Sequence, residues 1–109
     1  MGAHASLTVR ELTIDDIPEG TNIDDEWAMK QQNVESINFS SAGCDRIPYC
    51  FRYFTDLRKL VFDNNRIEDY KGTVPFPSLE YLQLRNCTLF SVSGIRNVHT
   101  LRCLDVQGK

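Results

Sequence analysis

Apolar residues along this 109-residue chain recur in a fixed six-residue phrase, apolar-x-x-apolar-x-apolar, five times over. The phrases are Val9/Leu12/Ile14, Val34/Ile37/Phe39, Leu57/Leu60/Phe62, Leu79/Leu82/Leu84 and Leu101/Leu104/Val106, their starts offset by 25, 23, 22 and 22 residues. Alternation within each phrase turns positions 1, 4 and 6 inward and positions 3 and 5 outward on a short strand. Near-equal spacing then predicts that the strands stack side by side in one parallel sheet, each followed by a return segment on the opposite side.

The returns have their own rhythm. In the fourth repeat Cys87 stands at position 9, followed by Leu89, Val92, Ile95 and Val98 at three-residue steps, which suits a 3₁₀ or loosely helical path. The third repeat offers Asn65, Ile67 and Tyr70 at the same places, and its Pro75 and Pro77 argue against regular helix there. The second, Tyr49-Cys50-Phe51-Arg52-Tyr53-Phe54, is aromatic: a partner site on the outside, or Phe51 and Phe54 filling a wider internal layer. Residues 7–33 read as a longer capping repeat. Thr21 or Asn22 would cap a helix starting with Asp24, Asp25 and Glu26, and Trp27 would pack on its neighbours. An Asn at position 9 should hydrogen-bond the backbone of the adjacent turn, with Cys a weaker substitute.

Stacking the strands produces columns of outward residues. Position 2 reads Arg10, Glu35, Arg58, Glu80, Arg102, an alternating charge column that would support strand pairing. Positions 3, 5 and 7 bring Lys59, Val61, Tyr81, Gln83 and Arg85 onto one face, with Val61 and Tyr81 expected side by side in solvent. An aromatic beside an aliphatic, flanked by bases, has the composition of an interface centre, so these five are the candidate partner-binding residues.

Bulk properties narrow the function classes. Net charge is −3, with seven acids against two bases in residues 1–33 and eight against ten in residues 34–109. No Lys/Arg-rich stretch occurs, which argues against direct nucleic-acid binding. No apolar run is long enough for a membrane span. Four cysteines without Cys-x-x-Cys spacing read as reduced thiols in an intracellular, cytoplasmic or nuclear protein. His4 and His99 are the only histidines, and no nucleophile–base set, metal set or phosphate loop is present, so no enzyme activity and no cofactor are expected. Residues 1–6 formally match an N-myristoylation pattern but read as a cloning remnant or disordered leader.

The phrase with Asn65 or Cys87 at position 9 resembles the leucine-rich repeat, L-x-x-L-x-L-x-x-N/C-x-L. The resemblance covers residues 7–109, and the arrangement looks like the 22-residue intracellular subclass of phosphatase-1 regulators and the spliceosomal A-prime protein. Val9 to Asp15 and Leu57 to Ile67 also look like segments of the acidic leucine-rich nuclear phosphoproteins, although the long acidic tail of that family is absent from these residues. It implies an α/β solenoid of about five repeats: a short parallel sheet on the concave face and 3₁₀, loop or short helix on the convex face. The units would be a capping repeat at 7–33, repeats at 34–56, 57–78 and 79–100, and a truncated repeat at 101–109. The implied function is a non-catalytic scaffold for a partner protein. Alternatives are a ribonucleoprotein or chromatin assembly factor, and a homo-oligomer assembled through an apolar edge of Leu101, Leu104 and Val106.

Overall fold

The residues at position 4 decide the architecture. Leu12, Ile37, Leu60 and Leu82 are at most 2% exposed, Leu104 is half-buried, and all five belong to or pack against one hydrophobic core. A computed structural model describes residues 10–108. Val9, the leader reading of residues 1–6 and Lys109 lie outside the described residues. Strands β1 (Arg10–Thr13), β2 (Val34–Asn38), β3 (Lys59–Val61), β4 (Tyr81–Gln83) and β5 (Cys103–Asp105) form one parallel sheet in the order β1-β2-β3-β4-β5. Short helices join them: α1 (Asp25–Met29) and 3₁₀ segments at Ile14–Asp16, Tyr49–Tyr53 and Ser93–Asn97. The fold is therefore of the α/β type.

Strand register follows the phrase. Glu11, Ser36, Lys59, Tyr81 and Cys103 align in one row, and Thr13, Asn38, Val61, Gln83 and Asp105 in another. The backbone ladder runs past the strand ends. The amides of Arg58, Glu80 and Arg102 donate to the carbonyls of Glu35, Arg58 and Glu80, each at 2.8 Å. At position 8, the amides of Ser41, Asn64 and Asn86 donate to the carbonyls of Asp63, Arg85 and Gln107 at 2.8–3.0 Å. Position 8 adopts positive φ in four successive repeats: Ser41 57°, Asn64 57°, Asn86 56° and Gly108 66°. Asn and Gly enter that region with little strain, which explains their choice at three of these four places.

Position 9 ties neighbouring repeats together. Asn65, 6% exposed, accepts from the amides of Ala42 (3.1 Å) and Cys44 (3.0 Å) through Oδ1. Its Nδ2 donates to the carbonyls of Phe39 (2.8 Å), Phe62 (3.0 Å) and Asp63 (3.3 Å). One repeat later the Cys87 thiol donates to the Phe62 carbonyl at 3.2 Å, reproducing part of the same arrangement. Burial pushes this thiol up, so it keeps the proton that the bond requires.

The first repeat departs from the pattern. Ile14, expected inside, is 36% exposed. The Asp16 carboxylate accepts from the Thr13 amide (2.9 Å) and hydroxyl (3.1 Å), and this starts a 3₁₀ turn at Ile14 before the residue can swing inward. Helix α1 is capped by neither Thr21 nor Asn22. Asp24 accepts from the Trp27 amide at 3.0 Å, while Thr21 is bound to the Pro18 carbonyl in the preceding turn.

The aromatic return fills the interior. Phe51 (0% exposed) and Phe54 (4%) meet Trp27, and Phe51 also meets Phe39 and Phe62, with ring centroids 5.3–6.5 Å apart across the cluster. Such pairs add roughly 0.5–1.5 kcal/mol each beyond area burial. Tyr49 and Tyr53 stay outside and flank the Arg52 guanidinium at 4.3 and 4.5 Å, while Arg52 also forks onto Asp25 and so joins α1 to the second return. The third return carries no helix across Pro75 and Pro77, although Val74 and Phe76 beside them are buried. The third and fourth returns touch through glycine. A side chain on Gly94 would lie 2.1 Å from the Lys71 carbonyl.

Candidate functional site

One face of the sheet covers the core, and the other carries the predicted partner-binding residues. Alternation along β3 and β4 sends Leu60 and Leu82 inward and presents Lys59, Val61, Tyr81 and Gln83 on the far side. There the Tyr81 hydroxyl donates to Gln83 Oε1 (2.7 Å), and Gln83 Nε2 donates to Asp63 Oδ2 (2.6 Å). Asp63 Oδ1 accepts the Arg85 amide (2.8 Å), and Arg85 Nε donates to Asp105 (2.9 Å). Lys59 Nζ sits 5.2 Å from the Tyr81 ring centroid, within cation–π reach. Lys59, Tyr81, Gln83 and Arg85 thus share one connected polar and aromatic surface.

Val61 does not face solvent as expected. It is 7% exposed and lies apart from the main core, between Asn38 and Gln83 in the register. A short β-branched side chain in the middle strand is shielded by the longer polar chains on either side. Asp63 and Asp105 close the network; the sequence places them in the outward columns but not among the expected partner-binding residues. The signal was available, because Asp63 precedes Arg85 by one repeat at position 7 and Asp105 follows Gln83 by one repeat at position 5. The Arg85 guanidinium holds the Asp105 carboxyl below its usual range, helped by the Gln107 amide, and Asp105 in turn raises Arg85.

The alternating charge column is realised around one residue. Arg58 lies 3.4 Å from Glu80 and 3.9 Å from Glu35, all three exposed enough that these pairs contribute little. Arg10 bonds Gln31 instead of Glu35, because β1 and β2 slip register between Arg10 and Glu11. Leu101, Leu104 and Val106 are each half-buried against the core at the β5 end.

A groove of about 750 Å³ opens on the return side, between the loop at 45–49 and the segment at 66–74, with Phe90 at its rim. Sequence reasoning gave no hint of it, since it depends on how far apart two returns sit. Among the described residues no His/Cys/Asp/Glu group is arranged to hold a metal ion, and no helix is long and apolar enough to cross a membrane. Comparison with protein-family models, with curated proteins and with solved structures finds no match to this chain.

Proposed function

We propose that this chain is a leucine-rich-repeat solenoid that acts as a non-catalytic, intracellular protein–protein interaction scaffold, gripping a partner protein with the exposed face of its sheet. The observation that carries the reading is the connected surface of Lys59, Tyr81, Gln83, Asp63 and Arg85, held in place by its own hydrogen bonds. Side chains already fixed in this way lose little rotational freedom when a partner docks, so the contact retains more of its gross energy. Four unpaired thiols support an intracellular setting. The repeated register and the Asn65/Cys87 position support the repeat class.

The test combines Tyr81→Ala with Lys59→Glu and compares partners recovered by the wild-type and variant chains through quantitative mass spectrometry. Loss of specific partners at unchanged melting temperature is expected. An identical partner set on a folded variant removes this face from the account. Self-association through the β5 end is a second reading, favoured by half-buried Leu104 on that edge strand with Leu101 and Val106 half-buried beside it. Sedimentation equilibrium over a wide concentration range decides it, and a single monomeric mass at every concentration rejects it.

A further inference from the structure

The groove on the return side has an open backbone edge. Asp69 and Ser91 form an isolated parallel bridge. The bonds beside it come from residues flanking Asp69, with the Phe90 amide donating to the Glu68 carbonyl at 2.8 Å and the Tyr70 amide donating to the Ser91 carbonyl at 2.9 Å. In such a pairing the N–H and C=O of Asp69 itself point away from Ser91. The repeats stack in chain order, so the side away from the fourth return is the side of the second, where the groove lies. Neither backbone group of Asp69 has a hydrogen-bond partner among the described residues.

Two buried side-chain atoms share this state at the same place. Asp69 Oδ1 and the Tyr70 hydroxyl are shut off from solvent without a hydrogen-bond partner among the described residues, and both residues line the groove. Tyr70 is 3% exposed, and burial pushes its hydroxyl up to about 12, so it stands as a proton donor. Native proteins leave few buried polar groups unsatisfied, so finding them beside an unpaired backbone edge calls for an explanation. Tyr49 (58% exposed) and Phe90 (76%) add apolar walls. Charge around the groove balances, with Arg46, Arg66 and Lys71 against Asp45, Glu68 and Asp69, which disfavours a phosphate or other polyanion.

We propose that this groove binds an extended peptide segment of a partner protein, which pairs with the N–H and C=O of Asp69 and rests an apolar side chain against Tyr49 and Phe90. This is strand addition to an exposed edge, in which backbone bonds give affinity and side-chain contacts give choice.

The probe is a phage-displayed library of short random linear peptides panned on the full chain, with recovered sequences synthesised for titration. The expected result is binding that weakens about tenfold or more on Tyr49→Ala with Phe90→Ala. Both side chains are exposed, so the fold should persist. In ¹⁵N spectra the Asp69 amide should shift and its hydrogen exchange slow on peptide binding. N-methylation of the peptide at the pairing position should abolish affinity. Peptides that bind the Y49A/F90A variant equally well, that leave the Asp69 amide unmoved, or that tolerate N-methylation everywhere would overturn the proposal, as would a failure to enrich any peptide. The Tyr81→Ala, Lys59→Glu variant should bind these peptides normally, which separates this site from the sheet face.

Discussion

Replacing Asn65 with alanine deletes five hydrogen bonds made by one side chain that is 6% exposed. The backbone groups it leaves behind differ in their fate. The Asp63 carbonyl keeps the Ser41 amide at 2.8 Å, and the Phe62 carbonyl keeps the Cys87 thiol at 3.2 Å. The Phe39 carbonyl and the amides of Ala42 and Cys44 keep no other partner among the described residues. Each buried group stranded in this way costs roughly 1–3 kcal/mol. Three such groups span roughly 3–9 kcal/mol; Ala42 and Cys44 are half-buried and within reach of water, so the sum falls in the lower half of that span, about 3–6 kcal/mol. A domain of this size has about 5–15 kcal/mol in total, so Asn65→Ala should sit near the edge of folding. The informative companion is Asn65→Cys. On the pattern of Cys87 it retains a donor toward Phe39 but loses the strong acceptor, so about half of the stability should return. Urea titration followed by Trp27 fluorescence, the sole tryptophan, gives both values. A loss below about 1 kcal/mol for Asn65→Ala, or no recovery in Asn65→Cys, both at unchanged m, would refute the idea that position 9 clamps the repeats.

Three other expectations follow from the same geometry. Gly94→Ala places a methyl 2.1 Å from the Lys71 carbonyl and 2.6 Å from the Gly72 amide nitrogen, so it should lower stability by about 3 kcal/mol or more, read as a fall in Tm. A melting temperature matching the wild type would show that the two returns can part freely. Asp105 has a depressed folded-state pKa, so its contribution is present above the ordinary carboxylate value and disappears as pH falls through the lower folded value. The stability gap between the wild type and Asp105→Asn should therefore be open at neutral pH and close in acid, and a gap independent of pH rejects the Arg85–Asp105 pair. Finally, Cys103 is exposed, whereas Cys87 is buried and burial pushes Cys50 up to about 11. Cys44 is half-buried, with its thiol pushed up by burial, so Cys103 should react first with a disulfide reagent in the native chain, Cys44 more slowly, and Cys50 and Cys87 only after denaturation; rapid native-state reaction of Cys50 or Cys87 would contradict the packing.

The spacing of aliphatics alone determined the strand register. Leu12, Ile37, Leu60, Leu82 and Leu104 align because a side-chain period of two leaves one way to bury all of them on the same face. The sequence also announced the clamp at Asn65, since an amide at that place has few alternatives, whereas it left the aromatic return open between an outer partner site and the inner layer that Phe51 and Phe54 fill. Tertiary structure decided what depends on neighbours across repeats. Val61 is buried because Asn38 and Gln83 flank it, and Ile14 is exposed because Asp16 turns the chain early. Arg85 finds Asp105, and the return-side groove opens at Asp69, only once separate repeats are set at their final distances. Local patterning reaches one strand and one turn, while burial and pairing of polar groups are properties of the assembled stack.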